Sequence, residues 1–214
     1  MRLSLEAVVP IPLREKVSSY SSGVWKQGLE LSKGEFVFVQ APSGTGKTTL
    51  VHILYGMRQD YSGTVYWNAW NMAAINKEEQ SNLRANYISV IFQDMRLFPE
   101  LTAWENLEVK RRLTDTATEQ QVEAWLARLG MKDKRDSLAR TLSYGEQQRI
   151  AIIRALLQPF EWLLMDEPFS HLDINNRNKA IELIAEVVQM NSAGMILADL
   201  DENEYFPYTR RIWL

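Results

Sequence analysis

The chain contains no cysteine, which excludes disulfides and cysteine metal sites and is compatible with a reducing compartment. It has no run of about 18 apolar residues, so no segment reads as a bilayer-spanning helix. The opening stretch, MRLSLEAVVPIPL, is too polar and too interrupted by proline to read as a secretion signal. A basic excess is also missing: 24 Lys and Arg stand against 27 Asp and Glu, a formal net charge of −3. General electrostatic binding to nucleic acid or to an anionic membrane is not expected of such a chain. It shows no internal repeat and no low-complexity tract. Its 214 residues, 46 % hydrophobic and 24 % charged, suffice for one α/β domain with a sizeable core and a subdomain.

The stretch that organises the rest is FVFVQAPSGTGKTTLVHILY, Phe36 to Tyr55. It begins as a short apolar strand, Phe36 to Val39, of the kind covered on both faces. It ends as a helix from about Lys47, with Leu50, Ile53 and Leu54 on one face. Between them Ala41-Pro-Ser-Gly-Thr-Gly-Lys-Thr48 matches the phosphate-binding pattern G-x-x-x-x-G-K-[ST], with Ala41 at the first glycine. Gly44 and Gly46 let the loop turn its N–H groups inward onto phosphate oxygens, and the helix N-terminus adds partial positive charge. Ser43, Gly44, Thr45, Gly46, Lys47, Thr48 and Thr49 are the expected nucleotide contacts. Lys47 would reach the β- and γ-phosphates, and the Thr48 hydroxyl would ligate Mg²⁺. A bare glycine turn before a helix is the plain alternative, which the flanking strand and helix disfavour.

Taken in order, residues 2–9 alternate as an edge strand stopped by Pro10 and Pro12, and residues 14–23 read as a polar loop. A strand is expected over 24–31, a turn at 60–63, a strand over 64–67, a helix over 77–85 and a core strand over 87–92. Helices follow over 101–113, 118–129 and 145–157, with a capping box at Thr118 and Gln121 and a stop at Gly130. Trp125, Leu126 and Leu129 share one helix face and read as core. A strand at 162–165, a helix over 175–190 and strands at 195–198 and 211–214 complete the chain. Strands alternating with helices imply a mostly parallel sheet, and the helical stretch from about 95 to 160 reads as an inserted arm.

Two further segments carry chemistry. Asp166 and Glu167 stand at the C-terminal end of a buried strand, the edge where ligands sit in open α/β sheets. Asp166 is placed to hold a Mg²⁺ shell, and Glu167 to polarise an attacking water. A strand-end pair that only caps the next segment is the plain alternative. Leu142-Ser-Tyr-Gly-Glu146 opens a helix in which Ser143 and Glu146 form a capping box. The same N-terminus, at Ser143 and Gly145, is a second anion site. One chain thus carries two such sites about a hundred residues apart, and one ATP could bridge two chains.

APSGTGKT, Gln93, LSYGE, LLMDE and Ser170-His-Leu-Asp173 resemble, in order and spacing, the five motifs of ABC-type ATPases. Gln93 to Pro99 with Leu101 to Leu107 is most similar to the lipoprotein-release, macrolide-export and cell-division branch. The resemblance implies a P-loop NTPase with a mostly parallel core sheet, an N-terminal antiparallel β subdomain and an inserted α-helical subdomain. In that scheme 1–94 and 160–214 form the core and 95–159 the helical part. It implies an ATP-dependent head-to-tail homodimer in which Lys47, Thr48, Asp166 and Glu167 of one chain face Ser143 and Gly145 of the other. Gln93 joins Glu167 as a catalytic residue and joins Thr48 and Asp166 at the metal. A membrane permease docks in a groove from Gln93 to Glu105, lined around Leu97, Phe98 and Leu101. The subunit is then cytoplasmic and peripheral on the inner face of the cell membrane.

Three departures from the family stand out. Ala41 replaces a glycine, Tyr144 and Glu146 replace signature residues, and no His follows the strand at 195–198, where Asp199 or Asp201 is the candidate. A carboxylate there would repel the γ-phosphate, so slow hydrolysis is expected. Tyr20 is the candidate for stacking on adenine. With the chain ending soon after its last strand, no appended regulatory domain is expected. A non-transport ATP-dependent adaptor is the competing function. A DNA-associated ABC ATPase is disfavoured by acidic charge and by the roughly 50 residues that separate Gln93 from Ser143, too few for long coiled coils. A single P-loop excludes the two-domain translation-factor type.

Overall fold

The structure, a computed structural model, describes every residue except Ser19, Tyr20 and Asp115. The expected adenine-stacking Tyr20 therefore lies outside the described residues. The first half runs β1 (Leu3–Pro10), α1 (Arg14–Val17), β2 (Gly28–Leu31), β3 (Phe36–Gln40), α2 (Lys47–Leu54), β4 (Tyr61–Trp67), β5 (Trp70–Asn71), α3 (Lys77–Asn86) and β6 (Ile88–Ile91). The second half runs α4 (Ala103–Thr114), α5 (Glu119–Arg128), α6 (Tyr144–Leu156), β7 (Trp162–Asp166), α7 (Ile174–Met190), β8 (Gly194–Asp199) and β9 (Arg210–Trp213).

Five strands form a sheet in the order β6-β7-β8-β3-β9, and every pairing in it is parallel. Such a sheet is covered on both faces, and its central strands read as apolar runs because their side chains are buried. WLLMD of β7 is buried throughout. Alternate residues feed opposite sides. Phe38, Leu163, Met165, Met195 and Leu197 join the core of the helical arm, whereas Val37, Val39, Leu164, Ile196 and Ala198 join the core shared with α2 and the second sheet. One polarity for all five strands brings Gln40, Ile91, Asp166 and Asp199 to one sheet edge. That edge is where the chemistry collects.

The second sheet, β2-β1-β4-β5, is antiparallel. Here the structure corrects four expectations. β1 is no edge strand: β2 pairs along one edge and β4 along the other, and side-chain alternation, which reports on faces, does not record edge pairing. Pro10 is its last paired residue, opposite Tyr61. The stretch 60–63 is mostly strand, not a turn. Gly63 (φ +85°) meets an irregularity of β1 at left-handed Ala7, and a Cβ on Gly63 would lie 2.4 Å from the Glu6 carbonyl oxygen. Only Gly28–Leu31 of the expected strand pairs; Val24 and Trp25 are buried in a loop. Part of the expected polar loop is helical, as α1. Thr118 caps α5 by accepting the Gln121 amide, one half of the expected box, and Gly130 (φ +67°) ends it. Trp125, Leu126 and Leu129 are core. Among the described residues no helix is long and apolar enough to cross a membrane.

Candidate nucleotide site

The loop from Ala41 to Gly46 joins β3 to α2. Gly44 (φ +77°) and Gly46 (φ +112°) take the left-handed conformations that glycine adopts without strain. A Cβ on Gly46 would also lie 2.7 Å from Leu13 Cδ1. Ala41 is fully buried and not left-handed, so a methyl group is tolerated where the pattern has glycine. Ser43, Gly44, Gly46, Lys47, Thr48, Thr49, Gln93 and Glu167 line a cleft of about 290 Å³. Thr45 points elsewhere: its hydroxyl donates to the Pro42 carbonyl (2.8 Å), and its own carbonyl accepts from Trp25 Nε1 (3.3 Å).

Lys47 is 5 % exposed. Its Nζ donates to the Ala41 carbonyl at 2.9 Å and pairs with Glu167 Oε1 at 3.3 Å. Glu167 Oε2 accepts from Gln93 Nε2 at 3.1 Å. Both carboxylate oxygens of Glu167 are therefore engaged by the groups expected beside a γ-phosphate. Glu167 itself is left-handed (φ +45°), held by its amide to the Ala198 carbonyl. Asp166 lies deeper, 1 % exposed, and both its carboxylate oxygens lack a hydrogen-bond partner among the described residues. Burial pushes its carboxyl up to about 6, although the Thr48 hydroxyl, close by but outside bonding geometry, draws it down.

Asp199 is the last residue of β8, and its carbonyl accepts the Ala41 amide at 3.1 Å. Burial raises its carboxyl, with the Leu200 amide opposing. Asp201 is exposed. β8 runs through Asp199, whose carboxyl feels the charges of Glu167 and Lys47.

The Ser143 capping box is built as the sequence implies, and this helix N-terminus stands apart from the cleft, which neither Ser143 nor Gly145 lines. Ser143 caps α6 in a closed box: its Oγ accepts the Glu146 amide, and Glu146 accepts the Ser143 amide at 2.8 Å. Lys134 pairs with the Glu146 carboxylate at 3.3 Å. A Cβ on Gly145 would sit 2.7 Å from the His171 carbonyl oxygen. Tyr144, 68 % exposed, stacks on His171.

Two residues were missed by sequence reasoning. Lys16 of α1 donates to the Gly44 carbonyl (3.2 Å), and nothing in a polar stretch singles it out. Gln148 of α6 is 1 % exposed. Its amide nitrogen donates to the Glu167 carbonyl (3.3 Å), and its oxygen accepts the His171 amide (3.0 Å). A glutamine on the same helix face as Ile152 and Leu156 was the available signal.

A glycine loop between a parallel strand and a helix, with Asp166 at the end of β7, one strand removed from β3 in the sheet, defines a P-loop NTPase. The ABC transporter family matches residues 26–170, and the chain belongs to it. It is 35 % identical over 179 residues to the aliphatic sulfonates import ATP-binding protein SsuB of Bacillus subtilis, covering 83 % of this chain and 67 % of that protein. It is 32 % identical over 177 residues to the lipoprotein-releasing system ATP-binding protein LolD of Legionella pneumophila, covering 81 % and 78 %. Its fold matches the dimeric ATP-binding cassette MJ0796 in a post-hydrolysis state bound to ADP and Pi, with TM-score 0.76, 26 % identity and 93 % of this chain covered against 88 % of that one. The chain is an ATP-binding, ATP-hydrolysing subunit of the transporter type, and these likenesses favour that reading over the adaptor.

Proposed function

We propose that two copies of this chain close head to tail on two ATP molecules and so drive a membrane permease. Ser43 to Thr49 of one copy bind the phosphates, and Ser143 and Gly145 of the other complete the site. The separation of α6's N-terminus from the cleft within one chain supports this division. Mg²⁺ fits the residues present: Asp166 is a buried carboxylate with no hydrogen-bond partner among the described residues, beside Thr48. No group of three His, Cys, Asp or Glu gathers for a metal among the described residues, so phosphate and water oxygens must complete the coordination. When bound, the cation neutralises charge on the phosphates. Lys47 exchanges Glu167 for the γ-phosphate, which frees Glu167 to orient and deprotonate the attacking water. A carboxylate at Asp199 repels the γ-phosphate where a His would donate to it, so turnover is slow.

Residues 95–159 act as the mobile helical arm, with 1–94 and 160–214 as the core. The permease inserts a helix in the groove between them, near Gln93 to Glu105, which places the subunit on the cytoplasmic face of the membrane. Phe98 is 51 % exposed there, in keeping with an unfilled surface, while Leu97 packs partly into the core. ATP shifts the equilibrium because its contacts to both copies exist only in the closed state.

The observation that carries this reading is the Lys47–Glu167–Gln93 cluster above buried Asp166. The test is Mg²⁺-dependent ATP turnover of the purified chain and of Glu167→Gln, with mass by light scattering on the same samples. Turnover below about 1 s⁻¹, lost at least about 100-fold in the variant, is expected, with ATP-dependent dimers of Glu167→Gln. Undiminished turnover in Glu167→Gln would remove the base, and monomers at saturating ATP would remove the shared site.

A further inference from the structure

On a chain of net charge −3, one groove is locally basic. It encloses about 180 Å³ and is lined by aromatic Tyr55, Phe92 and Phe98, by Val109, and by two cations, Lys110 and Arg154. Arg84 lies over the Tyr55 ring at 5.0 Å, and Arg96 over the Phe92 ring at 4.0 Å. Of these four cations only Arg96 has a carboxylate partner among the described residues, Asp94 at 3.0 Å.

Two of the others have work inside the chain. Arg84 donates to the carbonyls of Tyr55 (3.0 Å) and Gly56 (2.8 Å). Arg154 donates to the carbonyls of Met95 (2.7 Å) and Arg96 (2.8 Å), two consecutive left-handed residues just after Gln93. Lys110 has no such work: its ammonium has no hydrogen-bond or ionic partner among the described residues. Burial and the neighbouring Arg154 both lower its pKa. A half-buried ammonium beside a second cation is unfavourable unless an anion arrives. The apolar rim remains open, with Phe98 51 % and Val109 41 % exposed.

We infer that this groove receives a helix of the permease that carries a carboxylate, which pairs with Lys110 while apolar side chains of the helix cover Phe98 and Val109. The inference rests on the permease reading above and adds the charge of the partner. Helix-in-groove recognition supplies the apolar contact, and the ion pair fixes register and rejects helices with a cation at that place.

The probes are two amphipathic helical peptides of about 16 residues with one apolar face, identical except for Glu or Lys at the centre of the polar edge. Each is titrated calorimetrically against the full chain and against Lys110→Glu, whose folding is checked by its melting temperature. The Glu peptide should bind the wild-type chain about fivefold tighter or more, and the preference should reverse on Lys110→Glu. Equal binding of both peptides overturns the carboxylate and leaves the groove as a docking site. Binding of neither overturns the groove itself. Flotation with phosphatidylglycerol vesicles that is lost in Lys110→Glu would assign the cations to lipid phosphate and overturn the protein partner.

Discussion

Asp166→Asn tests whether the buried carboxylate is built for a cation. In the ATP-free chain burial raises this carboxyl from its ordinary 3.8 to about 6. A carboxyl whose folded pKa is raised binds its proton more tightly when folded. Its contribution is therefore neutral below about pH 4, becomes increasingly unfavourable between about pH 4 and 6, and levels off above that. At 1.36 kcal/mol per tenfold, the ionised group costs the folded chain about 3 kcal/mol at pH 7.5. Asparagine removes the charge but buries an amide without partners, at about 1–3 kcal/mol. The variant should thus be as stable as wild type or up to about 2 kcal/mol more stable at pH 7.5, and less stable than wild type at pH 4.5. For a chain of this length each kcal/mol moves the melting temperature by about 2–4 °C. The assay is urea unfolding in EDTA across that pH range. Adding ATP with Mg²⁺ should stabilise wild type far more than Asp166→Asn, and turnover of the variant should be negligible. Parallel pH profiles for the two chains would refute the argument, because Asp166 would then not be desolvated in the folded state.

Three further outcomes follow from named contacts. Gln148→Leu removes the bond to the Glu167 carbonyl and the acceptor of the His171 amide. Turnover should fall about tenfold or more with ATP affinity unchanged, as read by steady-state kinetics beside a fluorescent-nucleotide titration. Gly145→Ala places a Cβ against the His171 carbonyl oxygen. Light scattering should show ATP-dependent dimerisation lost while one-site ATP binding persists. Ala41→Gly should leave ATP affinity unchanged and lower stability by roughly 0.5–1 kcal/mol, since the position needs no left-handed residue; denaturant titration and nucleotide binding check both.

Residue type and spacing alone located the P-loop, Asp166, Glu167 and the Ser143 capping box, because each is a local device. A left-handed glycine, a helix N-terminus and a carboxylate at a strand end act over a few residues of chain. The parallel sheet was also legible, since strands buried on both faces must be apolar throughout, as WLLMD is. Element ends were less so: a two-sided β1, a β4 beginning at Tyr61 and a β8 reaching Asp199 depend on which neighbour pairs, and that partner is distant in sequence. Only the tertiary structure decided that Lys47 and Gln93 both engage Glu167, that Gln148 bridges Glu167 and His171, and that Lys110 stands half-buried without an anion. Hydrogen bonds and desolvation act between atoms brought within a few ångströms, and no local pattern of residues records which distant segments the fold will bring that close.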